Sequence, residues 1–364
     1  MNERAGSEIR ATIEEAIAEG RTPGAVCLVG RGRDTLFHEA IGHRSPAPER
    51  LPMEPDTVFD VASLTKVVAT TTVILQLAER GDLSIDDPVE RWLPEFTGEG
   101  RERATLRHLL THSAGLPAYR NYLAEWGESI PEAERRGRVV RDICALPLQN
   151  APGEGYEYTC LGFILLASIG RAASGRPLEE LARERIFAPL GMSATGFCPA
   201  AGTRDRCAAT EQLPDGPLVG VVHDENARYL SGVGGNAGLF SSAPDLARFA
   251  RAILNGGELD GTRILSEESV AGVLTEQPGC GEVRRTLGWR LANADDTHLH
   301  GAPTAASVGH TGYTGTSLWV DARRGVFVIL LTNRVHLGRA AEIGPLRRRV
   351  GEIVVRVSGN EETR

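Results

Sequence analysis

The sequence predicts an α+β fold: one antiparallel sheet flanked by helices, with a helical insertion between its two halves. Three observations carry that expectation. Hairpin signals stand near both ends of the chain, the middle reads as helix, and 41% of the 364 residues are hydrophobic against 24% charged. Such a composition supplies a large core and argues against disorder.

Taken in order, residues 7–20 set Ile9, Ile13, Ala16 and Ile17 on one helical face and stop at Gly20. Two apolar runs, 25–29 and 35–40, flank the turn sequence GRGRD and read as a hairpin. Within residues 58–80 the pattern from Ser63 on is apolar nearly all round and has Gly81 as its C-cap, which reads as a helix inside the molecule. Helical periods broken by Pro and Gly dominate from about 68 to 200. A strand is expected at 287–291, a second hairpin at 317–321 and 326–332 around ARRG, and a last helix at 345–357. Residues 1–67 and 201–364 are therefore expected to build the sheet domain and 68–200 the helical insertion. The cleft between them is the natural place for a site.

Composition excludes several classes. A net charge of -8 with no basic face makes nucleic acid a poor partner. No apolar run approaches the ~18 residues of a membrane span. The first ten residues, MNERAGSEIR, hold two acids and no apolar stretch, unlike a secretory signal. Six dispersed cysteines without a CxxC pair read as reduced thiols, so a cytoplasmic protein is expected.

One residue stands out. Lys66 is the single lysine among 40 lysines and arginines. Arginine serves every generic positive charge here, and it fails only where an amine must lose its proton. Ser63 lies three residues earlier, in the first turn of the same helix, so the two side chains can meet. Ser-x-x-Lys alone is weak, since a solvated lysine beside a capping serine produces it often. A buried helix start beside the only lysine is a different setting. Burial is expected to lower the amine's pKa towards that of a base, and the unpaired N–H groups of the helix start favour an oxyanion.

With these residues in hand, the chain resembles the serine β-lactamase and penicillin-binding-protein superfamily, above all the branch of class C β-lactamases and their esterase relatives. The segments carrying the likeness are PGAVCLVGRG, FDVASLTK, LLTHSAGLP, PGEGYEYTCLGFILL, PLGM, GLFSSAPDLARFARAIL, GHTGYTGTSLWVD and LLTNR, in family order along almost the whole chain. The resemblance implies a β-lactamase/transpeptidase-like fold and an acyl-enzyme on Ser63. Its Tyr-x-Asn motif falls on Tyr158-Thr159-Cys160, making Tyr158 the phenol that works with Lys66; Tyr156 is a nearby competitor. Cys160 departs from the pattern. The family asparagine accepts from the lysine and donates to a substrate amide, whereas a thiol is weak at both. The third motif, Lys-Thr-Gly, reads His310-Thr311-Gly312, as among the family's esterases. His310 would orient the proton network or the substrate, and the backbone N–H groups of Ser63 and Tyr313 would form the oxyanion hole.

Other signals weigh less. His112 reads as a structural hydrogen-bonder, His223-Asp224-Glu225-Asn226 as a polar loop near the cleft, and His298-x-His300 after Asp295-Asp296 as a hairpin tip. Arg334 either meets a substrate carboxylate or is one more surface arginine. No metal ligand set or cofactor fingerprint is found. The expected function is a serine hydrolase acting on a small ester, lactam or peptide-like substrate, an esterase or acyltransferase first. A β-lactamase or D-alanyl-D-alanine carboxypeptidase comes second, and a non-catalytic ligand-binding relative is the contrasting class.

Overall fold

The longest apolar runs become strands covered on both faces. In the computed structural model, which describes residues 1–293 and 307–359, β1 (Gly24–Arg31) pairs with β2 (Asp34–Ser45), and β2 with the short β3 (Leu51–Pro52). The C-terminal part adds β4 (Arg290–Leu291), β5 (Ser307–Thr311), β6 (Ser317–Asp321) and β7 (Val326–Thr332). They form one seven-stranded antiparallel sheet in the order β4-β5-β6-β7-β1-β2-β3. The two ends of the chain meet at the β7–β1 seam, where Ala25 lies opposite Thr332 and Arg31 opposite Val326.

Strand alternation sorts the faces. Ala25, Cys27, Val29, Val328 and Leu330 join Ile9 and Ile13 of the helix Glu3–Ala18 and Val350 and Ile353 of the helix Gly344–Gly359. Val26, Leu28, Phe327, Ile329 and Leu331 join the larger core on the other side. All seven residues of β7 are buried, so that strand reads as an unbroken apolar run. Each such valine, leucine or isoleucine contributes about 1.5–3 kcal/mol by leaving water.

The larger core is helical. Ala243–Leu254 lies on the sheet, its start capped by the Ser242 side chain accepting from the Asp245 N–H. Two helices without a polar face fill the centre: Leu161–Ser174, and the one carrying Lys66, which is π-wound over Lys66–Thr71 and α-helical over Thr72–Glu79. A π-wound stretch of this kind often marks a functional position.

Two elements differ from expectation. The first helix begins at Glu3, because the Asn2 side chain caps it through the Ala5 N–H. The helix after Ser63 starts where expected: Phe59–Asp60 pairs with Leu239–Ser241, the backbone turns at Ala62 (φ 47°), and the helical turns follow Ser63. The strand expected at 287–291 keeps only Arg290–Leu291. Gly288 turns there with φ 81°, and a side chain on it would strike Thr71.

Candidate active site

A cavity of about 990 Å³ opens where β5 and the turn after it face the helices. Ser63, Tyr156, Tyr158, Cys160, Arg285, His310, Thr311, Gly312 and Tyr313 all reach it. The site therefore draws on four separate stretches of sequence.

The Ser63 turn is held from three sides. Asp60, almost wholly buried, accepts from the Ala62 N–H at 2.9 Å and the His223 N–H at 2.7 Å. Its backbone carbonyl accepts from the Thr314 hydroxyl, and the Val61 carbonyl from the Thr316 hydroxyl. The strained Ala62 conformation is thus tied to the turn after β5 and leaves Ser63 half-buried at the cavity floor. Burial pushes the Asp60 carboxyl up to about 6 against the pull of those two N–H donors.

Lys66 is wholly buried. Its Nζ donates to Ser63 Oγ at 3.0 Å and to the Asn236 carbonyl at 2.9 Å, and lies 3.6 Å from Cys160 Sγ. The Tyr158 ring centroid is 5.1 Å away. Burying an ammonium costs several kcal/mol unless it is well served, so stability alone would place an apolar residue here. The expected lowering of its pKa is corrected by the structure. Burial, the largest single influence, does pull the amine down, but Cys160 and Tyr158 as they ionise, the Tyr158 hydroxyl, and Asp224 hold it above its ordinary value. Lys66 rests as an ammonium among acids to which its proton is coupled.

Tyr158 is half-buried and packs on two histidines, His112 at 4.6 Å and His310 at 5.9 Å between ring centroids. His112 also accepts from the Thr159 N–H through Nδ1 at 3.1 Å, fixing the segment that presents Tyr158. Tyr156 instead lies under Arg285, whose guanidinium carbon is 5.8 Å from its ring. Of the two tyrosines, Tyr158 is the one beside Lys66. Cys160 is a free thiol that burial holds protonated more firmly than usual, although Lys66 opposes this.

His310 Nδ1 lies 2.9 Å from the Thr311 carbonyl, and its Nε2 has no hydrogen-bond partner among the described residues. Burial, then Arg285 and Lys66, hold both His310 and His112 well below the usual histidine value, so both are neutral at physiological pH. Gly312 is pressed against the Ser63 turn: a Cβ there would fall 2.1 Å from Thr316 Oγ1 and 2.5 Å from the Val61 carbonyl. Neither the Ser63 nor the Tyr313 N–H donates to another group among the described residues.

At the rim, the Tyr313 ring stacks on His223 at 5.6 Å and under Arg334 at 4.8 Å. Arg334 spends its Nη1 on the Arg339 and Ala341 carbonyls. Asp224 caps a short helix through the Ala227 N–H, Glu225 pairs with Arg339, and Asn226 is buried between Arg120 and Tyr122. No group of three or more metal-ligating side chains gathers among the described residues. His298, His300, Asp295 and Asp296 lie outside them.

Sequence reasoning missed Asp60, Asn236 and Arg285. Asn236 had a signal, one polar residue in the glycine-rich run 232–238 before buried Leu239. Arg285 had none in a chain so rich in arginine. It is buried, and among the described residues its guanidinium donates from Nη2 to the Gly288 carbonyl at 3.2 Å, its Nε has no partner, and no acid pairs with it.

Comparison with known proteins places the chain in a family. The family model described as Beta-lactamase matches residues 9–352. Esterase EstB of Burkholderia gladioli is 32% identical over 379 residues, covering 93% of this chain and 92% of its own. An N-acetylmuramyl-L-alanine amidase of Bacillus subtilis is 28% identical over 358 residues, covering 89% and 80%. Among solved structures, EstCE1, a hydrolase with promiscuous acyltransferase activity, superposes with a TM-score of 0.75 at 22% identity, covering 95% and 98%. That last likeness concerns the fold.

Proposed function

The chain belongs to the Beta-lactamase family and is a serine hydrolase, and from that premise we propose that Ser63 forms an acyl-enzyme with small esters. Ser63 Oγ attacks the carbonyl, the Lys66–Tyr158 pair takes its proton, and the same pair returns it to the leaving oxygen. The Ser63 and Tyr313 N–H groups receive the oxyanion. His310, neutral, holds the Tyr158 ring, while Cys160, Thr311 and Gly312 form the wall along which the substrate lies. Water or an alcohol then releases the acyl group.

The observation that carries this reading is the 3.0 Å contact between Ser63 Oγ and a wholly buried Lys66 at the floor of an open cavity. Esters lead because Cys160 replaces the amide that would recognise an acylamino substrate. The esterase relative, matched along nine-tenths of both chains, supports the same choice. We read 1–67 with 201–364 as one unit and 68–200 as the other, the first supplying Ser63 and His310 and the second Tyr158. Six free cysteines suit a reducing, cytoplasmic setting.

A fluorophosphonate probe tests the reading directly. Mass spectrometry should find the label on Ser63, and Ser63→Ala should abolish labelling and turnover in a protein that still melts cooperatively. Label on Ser113 or elsewhere would overturn the assignment. A panel of p-nitrophenyl esters beside nitrocefin should show ester turnover exceeding lactam turnover.

A second reading, amide hydrolysis as in a β-lactamase or a D-alanyl-D-alanine carboxypeptidase, is favoured by one feature. Arg285 stands beside Tyr156 in the cavity as a buried cation with no acid paired to it among the described residues, which suits a substrate carrying a carboxylate.

A further inference from the structure

The turn that carries the Tyr313 N–H is held from behind by a charge. After β5 the chain reverses over residues 312–316, where the Gly312 N–H donates to the Thr316 carbonyl at 2.7 Å and the Gly315 N–H to the Gly312 carbonyl at 3.0 Å. On one side the Thr314 and Thr316 hydroxyls tie this turn to the Asp60 and Val61 carbonyls, just before Ser63. On the other side stands Arg347, on the last helix, Gly344–Gly359. Its Nη2 donates to the Gly312 carbonyl at 3.0 Å and to the Thr316 carbonyl at 2.7 Å. The Gly312 carbonyl belongs to the same peptide group as the Tyr313 N–H. That peptide is trans, so its two bonds point in opposite directions, and a donor fixed on the carbonyl turns the N–H away from the last helix. The guanidinium also draws electron density through the conjugated group, which makes the N–H a stronger donor. Packing alone does not ask for an arginine here. Leu346, Val350 and Ile353 already seat the helix on the sheet, and Arg347 is only 7% exposed, so its charge carries a desolvation cost. Burial, and after it the Arg334 charge, brings its pKa down to about 9, which leaves it a cation at neutral pH.

We propose that Arg347 is a positioning residue for the oxyanion hole, aiming and polarising the Tyr313 N–H through the Gly312 carbonyl. The role rests on the acyl-enzyme reading, in which that N–H and the Ser63 N–H receive the developing oxyanion. Negative charge on the substrate oxygen is small in the bound ester and large in the transition state. A stronger, better aimed N–H therefore acts on the rate of acylation far more than on the affinity for the ester.

The experiment uses a neutral ester, so that no substrate charge can address the guanidinium itself. Pre-steady-state acylation by p-nitrophenyl trimethylacetate is followed in wild type and Arg347→Met. The infrared carbonyl band of each acyl-enzyme is then recorded with an isotopically labelled carbonyl. In a folded Arg347→Met, acylation should slow about tenfold to a hundredfold with the Kd of the ester little changed, somewhat less than the loss of a whole oxyanion donor. The acyl carbonyl band should move to higher frequency, because a weaker and less well aimed N–H lengthens that C=O bond less. An arginine that only anchored the helix would leave the band in place. Should Arg347→Met not fold, Arg347→Lys, which keeps a cation on that helix position, carries the same expectations in smaller measure. A folded variant in which either the rate or the band stays at its wild-type value overturns the proposal. Wild type that forms no acyl-enzyme on Ser63 removes the acyl-enzyme reading and this role together, whereas an acylated Ser63 with an indifferent Arg347 removes the role alone.

Discussion

Two buried cations, Lys66 beneath Ser63 and Arg285 in the cavity wall, are treated in opposite ways. Lys66 is surrounded by acceptors the protein itself supplies: Ser63 Oγ, the Asn236 carbonyl and the Cys160 sulfur. Arg285 has the Gly288 carbonyl and the face of Tyr156. Both are nearly inaccessible to water, so neither charge is placed there for solubility. The first is a charge whose proton is coupled to its neighbours; the second is a fixed charge with no acid paired to it among the described residues. A guanidinium suits the second task and is unfit for the first, which explains why an arginine-rich chain keeps one lysine.

The sharpest way to break that comparison is to exchange the chemistry at its first member. Lys66→Arg keeps the charge but removes any route to a neutral amine, since a guanidinium stays protonated above pH 12 or so. Its planar fork also fits poorly where Nζ meets three acceptors. In a variant shown to fold by circular dichroism and melting, acylation should fall about 10² to 10⁴-fold, the scale of losing a positioned base. Near wild-type acylation would mean that the ammonium never gives up its proton and that Tyr158 alone is the base.

Arg285 offers a milder and more selective effect. Wild type should prefer 3-carboxyphenyl butyrate over its neutral methyl ester by about tenfold in kcat/KM, and Arg285→Gln should erase that preference through the charged substrate. Equal rates in wild type would show that the guanidinium meets no substrate anion and would remove the observation favouring the carboxypeptidase reading.

How much of this was legible beforehand follows from the range of the interactions. The C-terminal hairpin was readable to the residue at 317–321 and 326–332, because an all-apolar strand and the turn ARRG are local signals. Ser63, Lys66 and their mutual reach were legible because three residues of helix settle the spacing. The raised pKa of Lys66 was not, since it depends on Cys160 and Asp224, residues far away in sequence. Likewise, the pairing of Phe59–Asp60 with Leu239–Ser241 ahead of Ser63 and the meeting of the Asn236 carbonyl with Lys66 join residues far apart in sequence. Resemblance supplied Tyr158 and His310, and the structure adds why they belong together: their rings lie 5.9 Å apart over the same floor.

The smallest expected effect lies beneath both cations, at Asp60. Its carboxylate accepts from the Ala62 and His223 N–H groups, with Asp224 and Arg228 as the nearest charges, and the fold raises its pKa from 3.8 to about 6. The sign follows from linkage: native protein keeps this proton up to about pH 6, while the unfolded chain releases it near 3.8. The carboxyl's contribution to stability is therefore fully present below 3.8 and is lost as pH rises through about 6, on the order of 3 kcal/mol in all. Asp60→Asn carries no such titration, so wild type should lose melting temperature relative to the variant across that window. Activity should move the other way. Protonation weakens one of the two acceptors holding the Ser63 turn, so kcat/KM for a neutral ester should fall as pH drops below about 6. His112 and His310, held well below the usual histidine value by burial and then by Arg285 and Lys66, take up protons at lower pH than an ordinary histidine. In Asp60→Asn the single amide oxygen serves only one of the two N–H groups, which should lower the rate about three- to tenfold and flatten the acid limb. An unchanged limb in the variant would move its origin to the Lys66–Tyr158 pair, and the two buried cations would then be less independent than their surroundings imply.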